Sequence, residues 1–326
     1  LSVGANGYGY LDQTGGRFVV RAHTGLMTGG STGMYEMKGG TFDYLNPDGV
    51  NFALSRGYGW GEFYQTGGTF DPYTRNGRSF YMGIQSYSDP TGGVAIATLD
   101  GPDAYMKVNN VDMGQRTTNF VSILNLNAGV LETKYIEHAA ATRKNCPGYV
   151  NFNGGTFRAL DSNSDIFGSG TKVCARATVF GKGAVIDTAG KTLRVNAVPL
   201  SAPSGKGVAS ITIPASAAQT GYFGPPEVKI TGDGAGATAH CLFDAATGAI
   251  GPVVVTSPGW GYTTAKAVIR NAARTGDVQL EVKLAEQVGG GLVKTGAGTL
   301  ELACRNTYTG ATRVEAGVLK LNVAQA

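Results

Sequence analysis

One short motif recurs through the first 190 residues and limits what this chain can fold into: a polar residue, Gly or Ala, Gly, any residue, then an apolar one. Its copies are Thr14-Gly15-Gly16-Arg17-Phe18, Lys38-Gly39-Gly40-Thr41-Phe42, Thr66-Gly67-Gly68-Thr69-Phe70, Thr91-Gly92-Gly93-Val94-Ala95, Asn127-Ala128-Gly129-Val130-Leu131, Asn153-Gly154-Gly155-Thr156-Phe157 and Gly181-Lys182-Gly183-Ala184-Val185. Counted at the second Gly (16, 40, 68, 93, 129, 155, 183), the steps are 24, 28, 25, 36, 26 and 28 residues. The flanks alternate apolar and polar, as in Tyr149-Val150-Asn151-Phe152 before one turn and Phe157-Arg158-Ala159-Leu160 after it. That is the period of strands with one face on a core. Strand, Gly turn and strand repeated every ~25 residues suit a coil of a parallel β-helix, which buries its inward side chains only by stacking on the next coil. The Gly pair would turn the corner between two sheets at positive φ. Leucine-rich repeats need a leucine consensus that is missing, and propeller blades need ~40 residues each. An antiparallel sandwich with ordinary Gly-Gly hairpins is the competing all-β reading.

Composition agrees. Gly contributes 51 of 326 residues, yet the 42% hydrophobic fraction, with 15 Tyr and 13 Phe, is enough for a substantial core. There is no Gly-X-Y period, so neither collagen nor disorder follows. The net charge of +4 comes from scattered Lys and Arg, which disfavours a nucleic-acid partner. The longest apolar runs, such as Val253-Val254-Val255, fall far short of the ~20 residues of a membrane-spanning helix. The opening Leu1-Ser2-Val3-Gly4 fits a processed or excised segment.

Near the C-terminus, Gly290-Gly291-Leu292-Val293-Lys294-Thr295-Gly296-Ala297-Gly298-Thr299-Leu300-Glu301-Leu302 is followed by Asn306-Thr307-Tyr308-Thr309-Gly310 and by Val314-Glu315-Ala316-Gly317-Val318-Leu319-Lys320-Leu321. This stretch resembles the autotransporter-associated β-strand repeat of passenger domains. It departs from that pattern at Cys304-Arg305 and at Ala311. The resemblance implies a right-handed parallel β-helix displayed outside a bacterial cell of the Gram-negative type. Residues 201–271 break the coil pattern and duplicate internally: Gly207-Val208-Ala209-Ser210-Ile211 recurs as Ala249-Ile250-Gly251-Pro252-Val253, and Gly221-Tyr222 with Pro226-Glu227-Val228 recurs as Gly261-Tyr262 with Lys266-Ala267-Val268. They resemble Gly-Tyr-rich repeats inserted in bacterial surface and phage structural proteins. The expected organisation is all-β: helix over 1–200, an inserted module over 201–271 projecting from the rod, and helix again over 272–326. Parallel strands are expected over 5–200 and 278–322, with Phe18, Phe42, Phe70, Leu131, Phe157 and Leu319 pointing inward.

No catalytic constellation emerges. Asp100 with Asp103 and Asp161 with Asp165 read as Asx turns before Ca²⁺ ligands. His23, His138 and His240 lack ligand spacing, and Gly57-Tyr58-Gly59-Trp60-Gly61 sits among aromatic strands and does not lead into a helix. No metal or cofactor is therefore expected. The expected function is an extracellular structural or adhesive rod, not an enzyme; the alternative is a polysaccharide-binding or polysaccharide-active β-helix. Ten of the 15 Tyr lie in the first 105 residues, so Tyr58, Trp60, Tyr64 and Tyr73 are candidate contacts for a glycan or a protein, with packing ladders between coils as the other reading. With no capping helix at either end, a longer chain or head-to-tail assembly of copies is expected.

Cysteines add a test of register. Cys146 and Cys174 each precede a coil Gly, 155 and 183, by nine residues. Equivalent residues of successive coils lie ~4.8 Å apart, within disulfide reach. A Cys146–Cys174 bridge is expected, with Cys241 and Cys304 unpaired.

Overall fold

The computed structural model describes residues 7–20, 32–44, 52–55, 59–73, 77–84, 92–114, 119–139, 145–163, 165–217, 219–270 and 277–323. Its larger part is a parallel β-helix. The first face is an eight-stranded sheet, in order Tyr8–Gln13, Thr32–Met37, Trp60–Gln65, Gly93–Leu99, Phe120–Leu126, Gly148–Phe152, Arg176–Val179 and Leu200–Ser201. The second is a nine-stranded sheet running from Arg17–Val20 to Thr312–Val314. Short strands make the third: Phe52–Ala53, Phe80–Tyr81, Val111–Asp112 and Ile136–Glu137. Backbone bonds from Ile136 to Ile166 and from Ile166 to Arg194 carry this face on to Lys191–Val195, Gly298–Leu302 and Val318–Leu321.

Inward residues stack in register. On the second face Phe18, Phe42 and Phe70 share one row, which Met106, Leu131, Phe157 and Ile186 continue. Phe42 lies on Phe70 with centroids 4.5 Å apart, and Phe52 meets both edge-on from the third face. Phe42, Phe70, Leu131 and Phe157 are fully buried, while Phe18 and Leu319 pack against the core partly exposed.

The Gly turns hold the corner between first and second faces. Gly16, Gly40 and Gly68 have φ of 66°, 78° and 77°, and a Cβ on Gly40 would stand 2.3 Å from the Gly16 carbonyl oxygen. Two coil assignments differ from expectation. Gly92-Gly93 is not a corner: Gly93 opens a first-face strand, and the corner of that coil precedes Tyr105, which pairs with Thr69 and Val130. The long coil therefore comes one step earlier than the motif spacing implied. Val278–Glu286 is not a parallel strand either, since it pairs antiparallel with Lys206–Thr212 and Ala265–Arg270. Its alternating pattern suits either kind of strand, and only non-local pairing decides between them.

That strand completes a six-stranded antiparallel sheet with its own apolar core, including Val208, Ile211, Val228, Ile250 and Ile269. The duplicated segments pair with each other: Lys206–Thr212 joins Ala249–Trp260, and Glu227–Gly232 joins Ala265–Arg270. The chain leaves the rod after Leu200–Ser201 on the first face and resumes at Leu292–Thr295 on the second, so the module is spliced in at a corner. It does not project. It lies back along the first face.

The expected Cys146–Cys174 bridge does not form. Cys146 and Cys174 are separate buried thiols, and Cys241 and Cys304 are thiols too. Tyr149 stands opposite Arg176, which by continuation puts Cys174 opposite Pro147 and Cys146 opposite Val173. The strands before the corner are offset by 27 residues whereas the Gly turns are offset by 28. Both thiols face the core of the rod from segments that are not strand, and the one-position slip leaves each beside partners of its own. The Cys174 thiol instead meets the Ile136 carbonyl at 3.7 Å and the Met113 sulfur at 3.9 Å, and Cys146 lies 3.7 Å from His138 Nε2.

Gly40→Ala should lower stability by about 1–3 kcal/mol or more, because it adds a strained φ to a backbone clash. Gly15→Ala, whose Cβ would meet nothing within 4 Å, should be near neutral. Thermal unfolding of the two variants side by side checks the corner geometry, and equal losses would contradict it.

Candidate functional site: the polar seam along the first face

Side chains pointing outward from the first face form a row in strict register: Asp12, Glu36, Tyr64, Thr98, Asn125, Asn151, Thr178 and Ser201. On a bare rod this row would face water. Instead Glu36, Thr98, Asn125, Asn151 and Thr178 are buried, each at most 2% exposed. The module covers them.

Its strand Ala235–Asp244 runs across the coils. Thr238 accepts from Asn125 Nδ2 at 3.0 Å, His240 reaches Glu36 and Glu62, and Phe243 stands edge-on to Tyr10 with centroids 5.6 Å apart. From Thr238 to Phe243 the strand advances roughly 17 Å, and the coils of Asn125 and Tyr10 are four stacking steps, roughly 19 Å, apart. The lengths agree. Other bonds fill the seam: Asn151 Nδ2 donates to Asn125 Oδ1 at 2.9 Å and to Ser257 Oγ at 3.2 Å, and Asn127 Nδ2 donates to the Thr256 carbonyl at 2.8 Å. At one end Arg176 lies over the Trp260 ring at 4.7 Å, while at the other the Tyr8 hydroxyl donates to the Pro225 carbonyl at 2.7 Å.

The charged centre is His240, 1% exposed. Nε2 is 2.6 Å from Glu36 Oε1 and Nδ1 is 2.8 Å from Glu62 Oε1. Only the imidazolium donates from both nitrogens at once. Burial opposes the charged ring, but the Glu62 and Glu36 carboxylates outweigh it and hold His240 up to about 9. Burial also opposes ionisation of Glu36; its bonds from His240, Tyr10 and Lys38 nonetheless bring it down to about 2. Lys38 bridges Glu36 and Asp12 at 2.9 and 3.0 Å. A raised His favours the folded state fully below its ordinary 6.5 and loses that contribution as pH rises through about 9. The lowered Glu36 contributes above its ordinary 4.5 and loses it as pH falls through about 2. The seam's ionic centre is thus strongest between about pH 4.5 and 6.5.

Of the aromatic candidates, Tyr64 is taken by the chain itself. It stacks on His240 with centroids 4.2 Å apart and donates to Asp100 Oδ2 at 2.8 Å. Trp60 is half-buried on the same strand, and Tyr73 is half-buried beside Lys107, whose Nζ is 5.6 Å from its ring. Tyr58 lies outside the described residues. The three that are described do not form one flat aromatic face. Sequence reasoning missed His240 as the centre, since its partners are 204 and 178 positions away.

Two other outward surfaces carry charge. On the second face Asp43, Lys107, Glu132, Arg158 and Asp187 project outward, with Lys107, Glu132, Arg158 and Asp187 in one row. Ion pairs Arg17–Asp43, Lys107–Glu132 at 3.6 Å and Arg158–Asp187 at 2.9 Å offset the carboxylates. On the third face Asp112 and Glu137 are register neighbours. Burial first, and then the Glu137 charge, push Asp112 up to about 7. Among the described residues no group of three or more His, Cys, Asp or Glu is arranged to hold a metal ion.

Because Asp112 is held neutral by burial, its ionisation opposes folding from its ordinary 3.8 up to about 7. Asp112→Asn should therefore stabilise the protein by roughly 2–4 kcal/mol above pH 7, a gain that shrinks toward zero near pH 4. Denaturant titration at both pH values checks this, and a gain independent of pH would contradict it.

Residues 292–321 match the family model described as Passenger-associated-transport-repeat. The match covers the last two coils and supports their reading as an autotransporter passenger repeat. No curated protein and no solved structure matches the chain. The geometry explains the repeat's Lys. Lys294 occupies the inward position that Ile186 fills in the preceding coil. Its Nζ donates to the carbonyls of Thr295, Gly296 and Ala316 at 2.8, 2.7 and 2.9 Å, so all three N–H groups are used across two successive turns. Asn306 is buried likewise, accepting from the Leu200 N–H at 2.8 Å and donating to the Cys304 carbonyl at 2.9 Å.

Proposed function

We propose that this chain is the rod of an autotransporter passenger, displayed outside a Gram-negative type of bacterial cell, with a structural or adhesive role and no catalysis of its own. The observation that carries the reading is the repeat over residues 292–321 on coils that continue a parallel β-helix. Stacked coils give a stiff support whose length is set by coil number and not by a compact core. The module removes the first face from contact and leaves the second for partners. There the charged row, with Tyr105 donating to Glu132 at 2.8 Å and Tyr73 beside Lys107, offers polar and aromatic groups suited to a glycan or a protein surface.

The last described coil presents Val314, Val318 and Leu321, each about half exposed. A further coil of the same chain or a second copy would cover them, as each coil covers the one before.

An antibody raised against residues 1–326 should label intact, unpermeabilised cells of the source bacterium, and protease added outside should remove the label. Labelling only after lysis would overturn the display. The purified chain should release no reducing ends from a panel of acidic and neutral polysaccharides; turnover of any one would replace the rod by the polysaccharide-active alternative.

A further inference from the structure

We infer that residues 206–286 form a releasable strap whose latch is the protonated ring of His240: loss of that proton frees the strap from the first face and exposes the polar row beneath it. Three observations combine. First, the module has an apolar core separate from that of the rod, so it can lift without opening either core. Second, the bonds from Asn125, Asn151, Asn127 and Tyr8 to Thr238, Ser257, Thr256 and Pro225 are between neutral groups, each of modest net worth because water replaces it on release, and the two further contacts that involve an ionisable group, Thr32 to Glu227 and Arg176 over Trp260, each set one such group against a neutral partner. The ionic centre is different in kind, because a buried charge that loses its partner keeps the full cost of its burial. Third, the partners are unequal. Without the imidazolium proton, Glu36 retains Tyr10 and Lys38, whereas His240 is the partner the structure gives Glu62. A neutral His240 keeps one N–H, which the other bonds of Glu36 leave to Glu62, but its positive charge is gone; the Glu62 carboxylate then stays buried at the seam with no cationic partner among the described residues, and hydrating that charge requires the strap to rise.

The groups around the latch leave His240 to respond between neutral and moderately alkaline pH. From the first coil Tyr8, Tyr10 and Asp12 face it; from the second, Glu36 and Lys38; from the third, Glu62 and Tyr64; from the module, Cys241 on the same strand and Glu227 on a neighbouring one. Burial pushes the Tyr8, Tyr10 and Tyr64 hydroxyls above their ordinary value and the Cys241 thiol up to about 12. Lys38 is raised despite burial by Glu36 and Asp12. Glu227 is a carboxyl raised by burial, so the test must separate its response from that of His240.

Trp260 reports the seam, stacked by Arg176 and edge-on to Tyr149 at 5.1 Å. Trp60→Phe leaves it the sole tryptophan of the chain, which has two. Emission of this variant should shift to the red between pH 8 and 10 while far-UV circular dichroism stays constant. Adding Glu62→Gln, which withdraws a charge that favours the imidazolium but leaves Glu227 in place, should move the midpoint down by about one pH unit or more. Adding His240→Gln should abolish the transition; if that variant does not fold, the Glu62→Gln midpoint decides. No shift at any pH, a midpoint unmoved by Glu62→Gln, or loss of circular dichroism along with the fluorescence change would overturn the strap.

Discussion

A single coil of this chain cannot bury its own apolar side chains, and everything else in the structure follows from how the next coil does it. Stacking places residue over residue in parallel register, so the inward rows must be apolar, the corners must admit backbone over backbone, and Gly must stand where Gly40 faces the Gly16 carbonyl. Where the inward row departs from that rule, the departure carries its own bonding. Lys294 is buried in the row that Phe42 and Phe157 occupy, and its charge is tolerated because three turn carbonyls surround it. The repeat at the C-terminal end is thus a coil signature with a cation as its staple.

The same register creates the seam. Because outward residues of successive coils align as closely as inward ones, the first face presents a continuous polar strip, and a strand laid along the rod axis can satisfy several coils in turn. Ala235–Asp244 does this through Thr238, His240 and Phe243. The splice at a corner, between Leu200–Ser201 and Leu292–Thr295, starts the module at the edge of the face it covers. A tie spanning several coils resists local separation of any one pair, which stacking between neighbours alone does not provide.

Much of the fold was legible in the sequence because the constraint that sets it is local and repeated. Gly turns and alternating flanks identified the parallel coils and the inward Phe42, Phe70 and Phe157. What failed was finer or non-local. Gly92-Gly93 matched the motif but opens a strand, since a Gly pair marks positive φ or close approach without saying which corner it serves. The Cys146–Cys174 pairing assumed one offset around the whole coil, whereas the strands and the turns differ by a residue. The seam was invisible for another reason. Asn125, Asn151 and His240 are polar, and a polar residue on an outward position reads as solvated unless its distant partner is known. Tyr64 and Trp60 were noticed for their chemistry, but Tyr64 spends it on His240 within the chain.

The module lies along the first face and bonds to its outward row, and the contact between Asn125 and Thr238, 113 positions apart, tests that placement most directly. A double-mutant cycle of Asn125→Ala and Thr238→Ala, read by equilibrium unfolding at pH 6, should give a coupling of about 0.5 kcal/mol or more, as expected for side chains in one hydrogen-bond network. Single losses that simply add, to within about 0.3 kcal/mol, would mean that the two residues do not meet and that the module stands away from the rod.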